Sequence, residues 1–240
     1  VFDGFGGVWS LLVVEKGLFV IRQKTGLQVF APWHKVWHTC IVFIVFEGID
    51  GSGTTTQSRL LAEKLMAEGV PTLRTAEPTD GAIGRFIRSA LSGEVQLSSR
   101  ALQLLFFADR QEHLETTIHP ALNAGQVVLS DRYALSTIAY ASIGGDRSLF
   151  TSIAEYFDQP DLTIFLQLDP HIDIERITQR GEGQEIFEKE DLLIKIAHAY
   201  EREIERIPPE KKLIIDGTLP IAAVAEQIWE RVEELASRNR

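Results

Sequence analysis

The feature that most constrains the fold is a glycine-rich loop between a continuous apolar run and an amphipathic stretch. The run IVFIVFE covers Ile41–Glu47, and residues 48–53 read GIDGSG, which matches the spacing G-x-x-x-x-G. Short continuous apolar runs are typical of strands that are buried on both faces of a parallel sheet. Apolar residues then recur at helical spacing as far as Gly69, where a helix is predicted to end. The sequence therefore predicts a strand, a tight loop and a helix, in that order.

The same alternation of strand and helix continues along the chain. Four further strands are predicted, at residues 70–76, 127–131, 161–169 and 212–217. Helical patterns lie between and after them, including one long stretch that Ser98 or Ser99 would cap and later ones at residues 171–180, 188–206 and 221–236. Strands that alternate with helices imply right-handed crossovers. We therefore predict an α/β protein with a doubly wound, five-stranded parallel sheet and helices on both faces.

Composition excludes several other classes of protein. The formal net charge is -10, which disfavours binding to nucleic acid, because such proteins usually present a basic face. The single cysteine, Cys40, excludes a disulfide framework and a cysteine-based zinc site, and it favours a cytoplasmic location. The most apolar long stretch, which starts at Val8, is interrupted by Glu15 and Lys16, so no membrane span is predicted.

The first forty residues differ from the rest of the chain. They hold three of the four tryptophans and show no persistent helical or strand period. The chain starts with Val1, and its only methionine is Met66. We expect residues 1–40 to be a poorly ordered N-terminal extension that precedes a domain at residues 41–240. The alternative is that residues 1–40 form a docking arm.

The strand–loop–helix context makes the glycine pattern a P-loop, which binds phosphate. Glycines let successive backbone N–H groups point inward, and the following helix adds the positive end of its dipole. The alternative is a glycine-rich turn that binds nothing. The predicted phosphate-binding residues are Gly48, Ile49, Asp50, Gly51, Ser52, Gly53, Thr54 and Thr55.

One position of this loop departs from the motif. Thr54 stands where the motif has the lysine that reaches the β- and γ-phosphates, whereas Thr55 supplies the hydroxyl that the motif uses for Mg²⁺. Losing one such contact costs about 3 kcal/mol of transition-state stabilisation, or ~10²-fold in rate. An arginine from elsewhere in the chain could compensate, and Arg176 and Arg180 are the candidates.

Five sequence blocks together resemble the thymidylate kinase family. They read FIVFEGIDGSG followed by TTQ, then EPTDGAIGRFIR, LLFFADRQEH, DRYALSTIAY and PDLTIFLQLD, in the order of the family. The resemblance covers nearly all of residues 41–240. It implies transfer of the γ-phosphate of ATP to thymidine monophosphate (dTMP) with Mg²⁺, and it suggests a homodimer.

The resemblance also assigns roles to charged residues. Asp50 resembles the carboxylate that holds the 3′-hydroxyl of the acceptor and the neighbouring arginines, and a turn-stabilising aspartate is the alternative. Arg110 and Arg132 resemble the arginines that grip the monophosphate, with a simple salt bridge as the alternative. Asp131 ends a predicted strand and resembles the carboxylate that orients Mg²⁺ through water. Arg180 is expected to assist catalysis from a lid near residues 176–190.

Three further residues are expected to bind the nucleoside. Phe106 lies one helical turn before Arg110 and resembles the phenylalanine that stacks on thymine. Ser136 and Tyr140 would line the same pocket, and Tyr140 resembles an aromatic residue that favours deoxyribose. Elsewhere on the long helix, His113 and His119 are expected at the surface or at a cap rather than on a metal.

Two other departures concern the substrate. Ala76 stands where the family often has arginine, and Ala141 stands where it often has the glutamine that bonds the base edge. The sequence therefore leaves two alternatives to a dTMP kinase: a kinase for another monophosphate, and a nucleotide-binding homologue with impaired catalysis.

Overall fold

The computed structural model describes residues 42–144, 146–169 and 191–237 in full, and the backbone alone of residues 9–15, 18–23, 26–29, 186–190 and 238. Eight strands are described: β1 (Trp9–Glu15), β2 (Leu18–Gln23), β3 (Gly26–Val29), β4 (Val42–Glu47), β5 (Thr72–Ala76), β6 (Val127–Asp131), β7 (Leu162–Gln167) and β8 (Lys212–Asp216). Eight α-helices are described: α1 (Thr54–Ala67), α2 (Ala82–Leu91), α3 (Ser99–His113), α4 (His119–Asn123), α5 (Ala134–Ile143), α6 (Arg147–Ala154), α7 (Ile186–Ile204) and α8 (Ile221–Arg238).

The prediction of a five-stranded parallel sheet is confirmed. Its order is β5-β6-β4-β7-β8, and all four strand pairs are parallel. The first strand of the domain, β4, therefore lies at the centre, between β6 and β7. The chain runs from β4 to β5 and β6 on one side of β4 and then crosses to β7 and β8 on the other side. The strand order therefore reverses beside β4, and ligands bind at the carboxyl end of such a point in sheets of this kind.

Helices cover both faces of the sheet, because the side chains of β4 alternate between two apolar layers. Val42, Ile44 and Phe46 pack with residues of α1 and α8. Phe43 and Val45 pack on the opposite face, with residues from the segment between α3 and β6. All six residues of β4 are buried, which explains why its sequence is continuously apolar until the final glutamate.

The long helical stretch that follows Ser98 is not one uninterrupted α-helix. Ser98 caps α3 by accepting a hydrogen bond from the Ala101 amide. After α3 the chain forms a π-helical turn, Leu114–Ile118, and then α4, which has Pro120 in its first turn. Proline lacks an N–H and its ring clashes with the carbonyl four residues earlier, so a regular α-helix cannot continue through it.

The N-terminal segment contains three strands that its sequence did not predict. β1, β2 and β3 form an antiparallel sheet of their own, and they are seven, six and four residues long. β1 reads WSLLVVE and β2 reads LFVIRQ, so neither strand alternates strictly between apolar and polar residues. That residues 1–40 are a poorly ordered extension stays a prediction.

No helix in the described part of the chain is long and apolar enough to cross a membrane. The helical pattern predicted at residues 171–180 and most of the predicted lid lie outside the described residues.

Candidate functional site

The glycine-rich loop lies at the carboxyl end of β4 and is tightly folded. Gly51 and Gly53 have φ angles of 80° and 97°, a region that residues with a Cβ rarely adopt. At Gly48 a Cβ atom would lie 2.5 Å from Ser52 Oγ and 2.9 Å from the Leu166 carbonyl oxygen. The loop can therefore turn this closely against β7 only because glycine occupies that position.

The N-terminus of α1 is free to bind an anion. The helix begins at Thr54, its cap residue is Gly53, and no side chain caps it. Its first turn contains no acidic residue. The first amide groups of a helix have no partner within it, and they carry the positive end of the helix dipole. The loop and the first turn of α1 thus form a cradle whose shape and polarity suit an anion such as phosphate.

Asp131 and Thr55 meet beside this cradle. Thr55 Oγ1 donates a hydrogen bond to Asp131 Oδ2. The other carboxylate oxygen, Oδ1, is buried and has no hydrogen-bond partner in the described part of the chain. A hydroxyl and a carboxylate are the hard oxygen ligands that Mg²⁺ prefers, so the pair fits this metal. No group of three or more His, Cys, Asp or Glu side chains among the described residues could hold a metal. Mg²⁺ usually needs only one or two carboxylates, because it keeps water and binds substrate phosphates.

Arg132 lies at the mouth of the loop. Its backbone has a φ of 73°, which is uncommon for a residue other than glycine. One guanidinium nitrogen, Nη2, donates to the Asp50 carboxylate, and Nη1 donates to the Gly48 carbonyl oxygen at 3.0 Å and to the Tyr200 hydroxyl at 3.1 Å. The Asp50 side chain is 70% exposed, whereas that of Arg132 is 21% exposed. The guanidinium is thus held in one orientation, with Asp50 facing the solvent side.

Glu47 is a buried residue that the sequence analysis did not single out. Its carboxylate accepts hydrogen bonds from the Tyr133 amide at 3.0 Å, the Ser136 amide at 3.3 Å and the Ser136 hydroxyl. Burial raises the pKa of Glu47 to about 7, although the Ser136 hydrogen bond and the charge of Arg132 act in the opposite direction. Glu47 therefore joins the end of β4 to the start of α5. An acidic residue that ends a continuous apolar strand is the sequence signal that could have identified it.

The predicted nucleoside residues line one cavity of about 200 Å³. Asp50 and Arg132 form its side toward the loop, and Ser136 also contributes. Two partly exposed aromatic side chains, Phe106 and Tyr140, line the same cavity. The structure thus places aromatic rings and the charged side chains of Asp50 and Arg132 around one cavity.

Arg110 also lines this cavity, and it is completely buried. Its Nε and Nη2 atoms donate to Glu77 Oε2 at 3.1 and 2.7 Å, and Nη2 also donates to Thr137 Oγ1 at 3.0 Å. The guanidinium lies 4.6 Å from the centre of the Tyr133 ring. The remaining nitrogen, Nη1, is buried and has no partner within the described residues. Arg110 therefore has a buried ion pair and one further guanidinium nitrogen without a partner among the described residues.

His113 is not at the surface, which corrects the expectation for this residue. It is 2% exposed and lies between Glu77 Oε1 at 3.1 Å and Thr75 Oγ1 at 2.7 Å. It falls on the same face of α3 as Arg110, and that face packs against β5 and the residues after it. His119 lies at the surface, where it pairs with Asp158.

Other predicted positions lie away from the cavity. Ala141 is buried among Phe107, Phe150 and Ala154 and is not one of the residues that line the cavity. Arg180, the predicted catalytic arginine of the lid, lies outside the described residues, as does Arg176.

Comparisons with known proteins agree with this geometry. Residues 46–228 match the family model described as thymidylate kinase. A thymidylate kinase from Leptospira interrogans is 43% identical over 180 residues, which cover 73% of this chain and 86% of that protein. A probable thymidylate kinase from Methanocaldococcus jannaschii is 42% identical over 178 residues, which cover 74% of this chain and 87% of the relative. The crystal structure of thymidylate kinase from Ehrlichia chaffeensis superimposes with a TM-score of 0.63 at 28% identity, and the match covers 80% of this chain and 98% of that one. The chain belongs to the thymidylate kinase family.

Proposed function

We propose that the protein transfers the γ-phosphate of ATP to dTMP, giving ADP and dTDP. The observation that carries this proposal is one cavity that is lined both by charged side chains at the glycine-rich loop and by aromatic side chains. Asp50 and Arg132 lie at the side toward the loop, and Phe106 and Tyr140 form an aromatic wall. A nucleoside monophosphate has the same two parts, an anionic end and a flat apolar base. The relatives named thymidylate kinase support dTMP as the acceptor.

Phosphoryl transfer requires mainly that the protein position two phosphates and offset their charge. An oxygen of the dTMP phosphate attacks the γ-phosphorus of ATP, and the bond from that phosphorus to the bridging oxygen of ADP breaks. We assign the β- and γ-phosphates to the amide groups of the loop and of the first turn of α1. We assign the acceptor phosphate to Arg132, whose guanidinium is fixed by Gly48 and Asp50.

Thr55 and Asp131 would hold Mg²⁺. The buried, unpartnered Oδ1 of Asp131 supports this assignment, because a buried carboxylate oxygen without a partner is costly. When bound, the metal supplies positive charge next to the ATP phosphates.

The nucleoside would lie between the aromatic side chains of the cavity. Phe106 offers a face for stacking on the base, and Tyr140 lies toward α7, where its ring meets that of Tyr200 edge-on at 6.4 Å. The carboxylate of Glu77 offsets the positive charge of Arg110. We therefore assign Arg110 a hydrogen bond from Nη1 to the nucleotide.

A coupled assay of ADP release with ATP, Mg²⁺ and a panel of monophosphates tests the function. Saturable turnover that is fastest with dTMP supports the proposal. Faster turnover with a monophosphate of another base would identify that nucleotide, rather than dTMP, as the acceptor. Absence of turnover with every monophosphate, together with tight binding of a bisubstrate analogue, would favour the second candidate, a nucleotide-binding homologue with impaired catalysis. The observation that favours this second candidate is Thr54 in the position of the P-loop lysine.

A further inference from the structure

Tyr200 is a buried residue of α7 whose hydroxyl group reaches the candidate site. This hydroxyl donates a hydrogen bond to Ser136 Oγ at 2.7 Å and accepts one from Arg132 Nη1 at 3.1 Å. Burial raises the pKa of Tyr200 well above its ordinary value, so the hydroxyl keeps at neutral pH the proton that it donates to Ser136. The phenol therefore connects α7 both to α5 and to the arginine that follows β6.

These hydrogen bonds form a chain that ends on a buried carboxylate. Arg132 donates to the Tyr200 hydroxyl, which donates to Ser136 Oγ. Ser136 Oγ in turn donates to Glu47 Oε2, at the end of β4. Every donor in the chain points toward Glu47, and each hydroxyl group has one proton to donate, so the direction of both hydroxyl groups is fixed. The chain thus holds the Tyr200 hydroxyl in the orientation that accepts a hydrogen bond from the guanidinium.

The guanidinium of Arg132 depends on Tyr200 for a buried side-chain contact. Its Nη1 atom donates to the Tyr200 hydroxyl and to the Gly48 carbonyl oxygen at 3.0 Å, whereas Ser136 Oγ lies farther from Nη1, at 3.4 Å. Its Nη2 atom donates to Asp50, whose side chain is 70% exposed. An ion pair with so exposed a partner is screened by water and holds the arginine weakly. The contact with the Tyr200 hydroxyl is shielded from this screening.

We propose that Tyr200 is a positioning residue for phosphoryl transfer, whose hydroxyl group holds the guanidinium of Arg132 in the orientation that binds the acceptor phosphate. This inference rests on the proposed function, which assigns the acceptor phosphate to Arg132. A guanidinium binds phosphate through N–H groups that point in fixed directions, so an arginine that rotates loses part of this contact. Tyr200 acts through Arg132 and needs no contact of its own with the substrate.

The aromatic ring of Tyr200 has a separate role in packing. It stacks on the Phe165 ring at a centroid distance of 5.6 Å and meets the Tyr140 ring edge-on at 6.4 Å. Tyr200→Phe keeps both ring contacts and removes only the hydroxyl group, so it separates positioning from packing. Tyr133→Phe is the matched control, because Tyr133 is also buried and its hydroxyl donates elsewhere, to the Asp158 carbonyl oxygen at 3.0 Å.

The decisive measurement is the affinity for dTMP relative to thymidine, which lacks the phosphate. Calorimetric titration gives both affinities without turnover. We expect the wild-type protein to bind dTMP more tightly, because the guanidinium of Arg132 pairs with the phosphate. Tyr200→Phe should narrow this ratio by roughly 10-fold or more, since a hydrogen bond to a charged group is lost. The affinities for thymidine and ATP should stay near their wild-type values, and Tyr133→Phe should keep the wild-type ratio.

A double-mutant cycle tests whether Tyr200 acts through Arg132. In an Arg132→Met background, Tyr200→Phe should leave the ratio of dTMP to thymidine affinity unchanged, because the group that the hydroxyl positions is missing. A ratio that narrows further in this background shows that Tyr200 affects the phosphate by another route, and it overturns the inference.

Two results with the single variant would also overturn the inference. One is a wild-type ratio in folded Tyr200→Phe. The other is an equal loss of affinity for dTMP and thymidine, which shows that the hydroxyl supports the nucleoside pocket rather than the arginine. If Tyr200→Phe does not fold, Ser136→Ala removes the acceptor that directs the Tyr200 hydroxyl and is judged by the same ratio, in which lost nucleoside contacts cancel. Absence of dTMP binding by the wild-type protein contradicts the proposed function itself.

Discussion

Replacing Thr54 with lysine restores the residue that a P-loop normally places at the start of its helix. Thr54 is 6% exposed and is the first residue of α1. The substitution adds one positive charge to the phosphate cradle. Its effect on turnover therefore measures how far the rate is limited by charge at the β- and γ-phosphates.

The magnitude follows from the charges around the cleft. Arg132 pairs with Asp50 and Arg110 pairs with Glu77, so each of these cations is offset by a carboxylate. Asp131 adds a further negative charge. An ammonium group ~4 Å from a phosphate oxygen gains about 4 kcal/mol at an effective dielectric constant of about 20. Desolvation of the lysine offsets part of this electrostatic gain. A remaining gain of about 3 kcal/mol corresponds to a rise in kcat of ~10²-fold.

The assay is steady-state ADP release with saturating ATP, Mg²⁺ and dTMP. Thr54→Met is the control, because methionine has a long, unbranched side chain without charge. We expect kcat to rise in Thr54→Lys and to stay near the wild-type value in Thr54→Met. Thermal unfolding of both variants checks that neither change reflects stability.

Two results would refute the reasoning. An unchanged kcat in Thr54→Lys, with a protein that is folded and binds ATP, shows that charge at this position does not limit the rate. An equal rise in Thr54→Met shows that side-chain length or packing, rather than charge, is responsible.

Three other perturbations have expected outcomes. Asp131→Asn should lower kcat by ~10²-fold and weaken the Mg²⁺ dependence, and a Mg²⁺ titration that matches the wild type would contradict the metal assignment. Arg110→Met leaves the buried Glu77 carboxylate without its arginine partner, with His113 still beside it, and should destabilise the fold by about 3–5 kcal/mol in urea unfolding. Much of this loss should be recovered on adding Glu77→Gln, and a single-variant cost under about 1 kcal/mol would be inconsistent with the ion pair. The pKa of Glu47 is raised to about 7 in the folded state, whereas the same carboxyl group in the unfolded state loses its proton near pH 4.5. The free energy of unfolding should therefore fall as the pH rises from about 4.5 to about 7, by up to about 3 kcal/mol. Glu47→Gln should remove this part of the pH dependence in urea unfolding at pH 5 and pH 8, and identical pH profiles would show that Glu47 does not titrate in this range.

The sheet could be predicted because its strands carry a strong local signal. β4, β6 and β7 are buried on both faces, and their sequences VFIVFE, VVLSD and LTIFLQ consist mostly of apolar residues. The sequence signal for the loop after β4 is equally local, since glycine spacing and the start of a helix are both visible in the sequence. The carboxyl end of β6 could be placed at the site because ligands bind at that edge of a parallel sheet.

The partners of the site residues could not be predicted, because they come from distant elements. Tyr200 lies 68 residues after Arg132, and Glu77 lies 33 residues before Arg110. No local period indicates that these side chains meet.

The paired arginines also predict that Thr54 limits phosphoryl transfer more than ATP binding. Backbone amide groups and the uncapped end of α1 supply the cradle, and no carboxylate in the first turn of the helix offsets them. These groups attract phosphate in the ground state whether or not residue 54 is charged. The charge that develops during transfer needs additional cations, and those of Arg110 and Arg132 are already offset by carboxylates. Replacing lysine by threonine should therefore lower kcat while leaving the affinity for ATP largely intact.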